Sequence, residues 1–353
     1  MKKMLIADDS ALVRKQISEI VADLGFEIDT ARNGAEAVQK ATAVQYDVIT
    51  MDINMPVMDG LTAVKKIMSE RPTPILMISS LTTESAGITM EALDLGAVDY
   101  IAKPGTMNVG REVNRDDIIQ KVKSLSRIPP RRLKSITRRP LIRERAPTVR
   151  ESARAARRSA GGDVTKILLI GASTGGPGLI EQICTALPGD FPYAVCIVQH
   201  MPEQFTAAFA TRLDKNSTLP VMECKDHMEL APGNIYLARG GVHMHFAKKV
   251  TGKVVIREEK NKKERFFQPS VDEMFLSALN VFSGDQIVGV LLTGIGDDGA
   301  QGMVAIKKAG GFTIGESEET ATVYGMPKEA YDRGGVAQQL PFPKIVRALQ
   351  ALR

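Results

Sequence analysis

The chain has 353 residues, enough for two domains of ordinary size, and its 44% hydrophobic and 25% charged residues are those of a globular protein. No apolar run approaches the roughly 18–20 residues of a membrane span, and Asp8 and Asp9 interrupt the N-terminus before a signal-peptide apolar region forms. The formal charge of +5 hints at nucleic acid, but residues 127–158 alone carry twelve Lys/Arg against two Glu, a net of +10 that leaves the remainder at −5.

Residues 1–126 alternate short apolar runs with amphipathic segments. Strands are predicted at Met4–Ala7, Glu27–Ala31, Val48–Met51, Ile75–Ser79 and Asp99–Ala102, with helical patterns between them and a last one near Asp116–Ser126. Five such units imply a (βα)5 domain with a parallel sheet covered on both faces, here assigned to residues 1–124. Residues 125–162 follow as a basic connector, rich in Pro and Arg and weak in apolar periodicity, with transient helix possible only at Glu151–Arg158. A second α/β domain is predicted for 163–353. Its strands are Lys166–Ile170, Tyr193–Gln199 and Ile287–Leu292, its sheet is doubly wound and mostly parallel, and a hairpin or meander falls near 219–258. Cys184, Cys196 and Cys224 are odd in number and lack CxxC spacing, as expected of reduced, buried thiols in a cytosolic protein.

Ligands of parallel α/β sheets collect at the carboxyl ends of the strands. In the first domain Asp8 and Asp9 end the first strand, Asp52 the third and Ser79 the fourth, and Lys103 follows the fifth. Three carboxylates together require a cation, and oxygen ligands favour Mg²⁺. A lysine and a hydroxyl beside them suit a phosphoryl group. Asp8-Asp9 before Ser10 is also a plain helix cap.

In the second domain Gly171-Ala172-Ser173-Thr174-Gly175 fits G-x-S-x-G after a strand, an arrangement that lifts a serine hydroxyl at a sharp turn. A serine nucleophile needs a base and an orienting acid. Of the four histidines, His200 alone shares the strand-end position; His227 lies in a polar segment, and His243 and His245 could open a metal site but lack an evident third ligand. The Thr293-Gly294-Ile295-Gly296-Asp297-Asp298-Gly299 segment offers the acid. Asp298 beside Gly299 is preferred over Asp297, although the segment could be only a turn.

Leu5-Ile6-Ala7-Asp8-Asp9-Ser10, Ile49-Thr50-Met51-Asp52-Ile53-Asn54-Met55-Pro56 and Tyr100-Ile101-Ala102-Lys103-Pro104 resemble the receiver domain of two-component response regulators. That resemblance implies Asp52 as phosphoacceptor, and Mg²⁺ held by Asp9, Asp52, the Asn54 carbonyl and, through water, Asp8. It also implies phosphoryl contacts from Ser79 and Lys103, with Tyr100 as the switch aromatic. Residues 165–353 resemble the catalytic domain of chemotaxis protein-glutamate methylesterases. The matching stretches are Ile170–Gly176, Gln199-His200-Met201-Pro202, Pro232–Ala238, His243-Met244-His245, Gln268-Pro269-Ser270-Val271-Asp272, Leu292–Gly299 and Val323–Pro327. Gln268 stands where that family suggests Arg, and Ala238-Arg239-Gly240 replaces Ala-Pro-Gly.

The second resemblance implies a Ser173–His200–Asp298 hydrolase that cleaves glutamate methyl esters, and deamidates certain glutamines, on chemoreceptors. A histidine kinase would phosphorylate Asp52, and the esterase step would need no cofactor. The expected protein is a cytoplasmic monomer recruited to membrane receptor arrays, without nucleic acid as a partner. A DNA-binding output module would need clustered Lys/Arg on a recognition helix, which residues 163–353 lack. A catalytically silent receptor adaptor stays open at this stage.

Overall fold

The computed structural model describes residues 1–80, 82–103, 111–129, 132–133, 163–260 and 266–353. They fall into two compact units, one up to Leu133 and one from Asp163. Residues 134–162, most of the predicted connector and its candidate helix, lie outside the described residues. Its first part does not: Ile128 and Leu133 are buried.

In the first unit β1 (Lys2–Ala7), β2 (Phe26–Ala31), β3 (Val48–Asp52), β4 (Ile75–Ser79) and β5 (Asp99–Ala102) form one sheet in the order β2-β1-β3-β4-β5. All its neighbours are parallel. The strands lie where the apolar runs predict, because β3 and β4 are buried at every residue and predominantly hydrophobic segments tolerate that best. Helices α1 (Ala11–Ile20), α2 (Gly34–Ala43), α3 (Gly60–Glu70) and α4 (Thr83–Asp94) start at Ser10, Asn33, Asp59 and Thr82, whose side chains each accept a first-turn N–H. Helix α5 (Arg111–Leu125) closes the unit.

The second unit is built on a seven-stranded sheet. Its strands are β6 (Ile167–Ala172), β7 (Ala194–Gln199), β8 (Val221–Glu223), β9 (Ile235–Leu237), β12 (Ile287–Leu291), β13 (Phe312–Glu316) and β14 (Gln338–Leu340), ordered β14-β13-β12-β6-β7-β9-β8. Every neighbour pair is parallel. The predicted hairpin region divides. β8 and β9 are short strands of the parallel sheet, with β8 at its edge, and only β10 (His243–Lys248) and β11 (Val254–Glu259) make an antiparallel hairpin. The sequence reading has no counterpart for β13 and β14.

Strand β6 is flanked by β7 on one side and β12, far along the chain, on the other. Such a reversal opens a crevice at the carboxyl ends of the strands. Helices α6 (Pro177–Ala186), α7 (Glu203–Asn216), α8 (Val271–Ala278), α9 (Ala300–Lys308), α10 (Met326–Asp332) and α11 (Phe342–Gln350) connect the strands. Buried Glu181 on α6 is held by Arg212 Nη2 at 2.7 Å and Asn216 Nδ2 at 2.7 Å on α7, so a charge inside this layer is matched by donors. The three cysteines are free and buried, and burial pushes their thiols up. No described helix is long and apolar enough to cross a membrane.

Candidate functional site

The first-unit cluster forms at the ends of β1 and β3. Ligand atoms of Asp8, Asp9 and Asp52 lie within 4.8 Å of one another. Lys103 Nζ, following β5, sits 2.9 Å from Asp52 Oδ2 and 3.5 Å from Asp8 Oδ2. Asp8 and Asp52 are fully buried while Asp9 is exposed, so the cluster opens to solvent on one side. Burial, with Asp8 beside it, pushes the Asp52 carboxyl up to about 6 against the pull of Lys103. One lysine cannot balance three carboxylates, and an all-oxygen set with one exposed member fits a hydrated divalent cation such as Mg²⁺. Asp8 also accepts the Ser10 N–H at 2.8 Å, and Ser10 caps α1, so the capping alternative and the cluster coexist.

Ser79 ends β4, but its hydroxyl donates to the Ser80 carbonyl and accepts from Thr89 Oγ1, each at 3.1 Å. Asn54 is exposed two residues after Asp52. Tyr100 is buried in β5, with Lys121 Nζ 5.5 Å from its ring centroid.

In the second unit the register pairs Ala172 with Gln199, so Ser173 and His200 are the next residues of adjacent strands. The His200 N–H donates to the Ala172 carbonyl at 3.1 Å, and the Gln199 amide donates to the Ser173 carbonyl at 2.9 Å. From the other side the Ser173 N–H donates to the Thr293 carbonyl at 3.0 Å, and Thr293 Oγ1 donates to the Thr174 carbonyl at 2.9 Å. The elbow is therefore clamped by the loops after β7 and β12. Gly175 has φ of +79°, and a Cβ there would meet Thr322 at 2.6 Å, so this turn requires glycine.

His200 Nε2 lies 2.8 Å from Asp298 Oδ2, while its Nδ1 has no hydrogen-bond partner among the described residues. Asp298 also accepts from the Val271 N–H at 2.6 Å, the Asp272 N–H at 3.0 Å and the Ser270 hydroxyl at 2.7 Å. Burial alone would raise this carboxyl, but His200 and these donors outweigh it and bring it down to about 2. Asp297 instead turns outward to Arg333 Nη2 at 2.6 Å. The geometry thus separates two adjacent aspartates that the sequence left as alternatives.

Phe267 stacks on His200, with ring centroids 3.9 Å apart and planes 12° from parallel. The Gln268–Asp272 stretch belongs to the resemblance, but neither the Phe267 contact nor the Ser270 hydroxyl's partner is readable from it, since both act on residues about thirty or more positions away in the chain. His243 Nδ1 accepts the Ser270 N–H at 3.1 Å, and His245 faces Glu259 and Glu273 at 3.5 and 3.3 Å. Arg239 places Nη2 2.9 Å from Glu258. Among the described residues, Asp8, Asp9 and Asp52 are the sole three-member group arranged to hold a metal.

Comparison with known proteins gives two family matches: "CheB methylesterase" over residues 168–349 and "Response regulator receiver domain" over residues 4–113. A protein-glutamate methylesterase/protein-glutamine glutaminase of Carboxydothermus hydrogenoformans is 49% identical over 97% of this chain and 96% of its own length. One of Caldanaerobacter subterraneus subsp. tengcongensis is 44% identical over 97% of this chain and 94% of its own. The crystal structure of the Thermotoga maritima CheB methylesterase catalytic domain matches with a TM-score of 0.50 and 39% identity, covering 52% of this chain and 97% of that one.

Proposed function

The chain belongs to the CheB methylesterase family and carries a response regulator receiver domain, and from that premise we propose a phosphorylation-activated, Ser-His-Asp hydrolysis of methylated chemoreceptors. Its activity is that of a protein-glutamate methylesterase/protein-glutamine glutaminase. We divide it into a receiver at 1–124, a basic connector at 125–162 and an esterase at 163–353.

One observation carries the mechanism. Ser173 and His200 leave adjacent strands in register, and Asp298 holds the imidazole at 2.8 Å. His200 Nδ1, the nitrogen Asp298 leaves unbound, takes the Ser173 hydroxyl proton as Oγ attacks the ester carbonyl. The imidazolium then gives that proton to the leaving methoxide, releasing methanol. Water, deprotonated by the same nitrogen, attacks the acyl-serine, and glutamate and free Ser173 result. A glutamine side chain follows the same course with ammonia as leaving group. Asp298 stays ionised and stabilises the imidazolium. The N–H groups of Ser173 and Gly176 are already bonded to carbonyls, so neither of these two is an oxyanion donor.

In the receiver, Asp52 accepts the phosphoryl group from a histidine kinase. Asp9 and Asp52, the Asn54 carbonyl and, through water, Asp8 would hold Mg²⁺, which supplies charge neutralisation. Lys103 pairs with the phosphoryl oxygens, Ser79 turns its hydroxyl towards them, and Tyr100 follows as the switch aromatic. The unphosphorylated receiver restrains the esterase, and phosphorylation releases it. The protein works in the cytoplasm at receptor arrays, as a monomer. Methanol release from a methylated receptor fragment, with and without a small phosphodonor, tests this. Ser173→Ala should abolish release and Asp52→Asn should abolish the phosphodonor's effect. A truncated chain starting near Asp163 should be active without the donor. Undiminished release by Ser173→Ala would sink the nucleophile assignment, and a truncated chain no faster than the unphosphorylated whole would sink the restraint.

A further inference from the structure

The geometry points to Ser270 and His243 as positioning residues that set the angle of Asp298 on His200; this rests on Asp298 being the triad acid. Ser270 caps α8, and its Oγ accepts the Glu273 N–H at 3.3 Å. A hydroxyl carries one hydrogen, and here it is directed to Asp298 Oδ1, 2.7 Å away. The same oxygen of Asp298 accepts the Asp272 N–H, while Oδ2 accepts the Val271 N–H and faces His200. The carboxylate is therefore held at both oxygens, and it cannot rotate about its Cβ–Cγ bond without losing donors.

Two of those donors belong to the backbone of α8 and cannot be varied independently. Ser270 is the side chain that chooses the rotation. Its own placement is fixed from β10. His243, 3% exposed, accepts the Ser270 backbone N–H at Nδ1, 3.1 Å away. That bond requires the lone pair on Nδ1, so the ring proton resides on Nε2. A line of directed bonds thus runs His243–Ser270–Asp298–His200 from the hairpin into the crevice. Neither Ser270 nor His243 touches the reacting atoms. They act by holding the acceptor that orients the base, as outer partners do for ligating or catalytic histidines.

The test uses the full chain with a phosphodonor, methanol release from a methylated receptor fragment, and Ser173→Ala and Asp298→Asn as references. Ser270→Ala should lower kcat about 10–100-fold, the loss of one hydrogen bond to a charged group, with KM within about twofold. Ser270→Thr should recover most of the rate. In an Asp298→Asn background the added Ser270→Ala change should cost less than about twofold, because the partner through which Ser270 acts is gone. His243→Leu should lower kcat about tenfold, and His243→Asn, which keeps an acceptor near Nδ1, should restore it. Ser270→Gly removes the hydroxyl yet preserves a good helix cap, and it should repeat the alanine result should Ser270→Ala fail to fold. A Ser270→Ala or Ser270→Gly kcat within about twofold of wild type would overturn the proposal. So would an equal loss in the Asp298→Asn background. If Ser173→Ala stayed active, the triad reading itself would fall, an outcome distinct from either.

Discussion

Asp298 meets His200 at Nε2, the ring nitrogen farther from the main chain, and this leaves Nδ1, next to the backbone, without a hydrogen-bond partner among the described residues, the nitrogen proposed to work on Ser173. The imidazole thus enters the crevice sideways, its outer end tied to the N-terminus of α8 through the aspartate and its flat face covered by Phe267.

Asp298→Asn should therefore be severe. An amide that donates to Nε2 would put the ring proton on Nδ1, the nitrogen that must accept one. By analogy with other Ser-His-Asp enzymes, kcat should fall about 10³–10⁴-fold with little change in KM. Steady-state methanol release measures it, and a loss below about tenfold would contradict the assigned tautomer.

The same carboxylate fixes a pH response of stability. Its folded pKa of about 2 lies below the usual carboxylate value. A depressed acid stabilises the fold above the unfolded pKa and loses that contribution as pH falls towards the folded one. The contribution is on the order of 2 kcal/mol. In denaturant unfolding, the gap between wild type and Asp298→Asn should persist down to about pH 5 and shrink below about pH 4. A gap that closed already between pH 7 and 5 would refute this.

Gly294 tests how closely the loop after β12 backs the elbow. A Cβ there would stand 2.1 Å from Met326 Sδ and 2.9 Å from Ser173 Cβ. Gly294→Ala should cost about 1–3 kcal/mol by overpacking and also lower kcat, since buried Met326 and Ser173 must both give way. Thermal unfolding and turnover measured on the same sample check it; a stable variant with full kcat would show that the loop yields without moving the serine.

In the receiver, Asp52 and Asp8 are buried side by side with only Lys103 Nζ between them. Asp52→Asn in metal-free buffer near neutral pH should raise the receiver's melting temperature by a few degrees, by removing one of three clustered charges. Mg²⁺ should stabilise wild type and do little for Asp52→Asn. Equal Mg²⁺ stabilisation of both would argue against Asp52 as a ligand.

The sequence was most legible where one strand is buried on both faces. Val48–Asp52 and Ile75–Ser79 stand out as mostly apolar runs, Thr50 apart, that end on a polar residue, and the site residues could be read from those ends. The three-residue edge strands of the second sheet carry no such mark. Gln338–Leu340 is mostly exposed and three residues long, and Val221–Glu223 is equally short, so neither departs from loop composition. Asp297 and Asp298 are chemically identical neighbours, and only the turn that sends one to Arg333 and the other to α8 tells them apart. Ser270 escaped for the same reason: its partner lies 28 residues away, and a capping serine looks alike whether or not its hydrogen has a carboxylate to meet.

The crossing of β12 back beside β6 has a consequence for synthesis. Ser173 emerges from the ribosome long before Asp298, and before the Thr293 carbonyl that receives its N–H. Until those residues arrive, the nascent chain carries a serine at an unbraced turn and a histidine with no anion behind it. On the proposed triad, hydrolytic competence is a property of the nearly finished polypeptide, and a chain broken ahead of the twelfth strand should be inert.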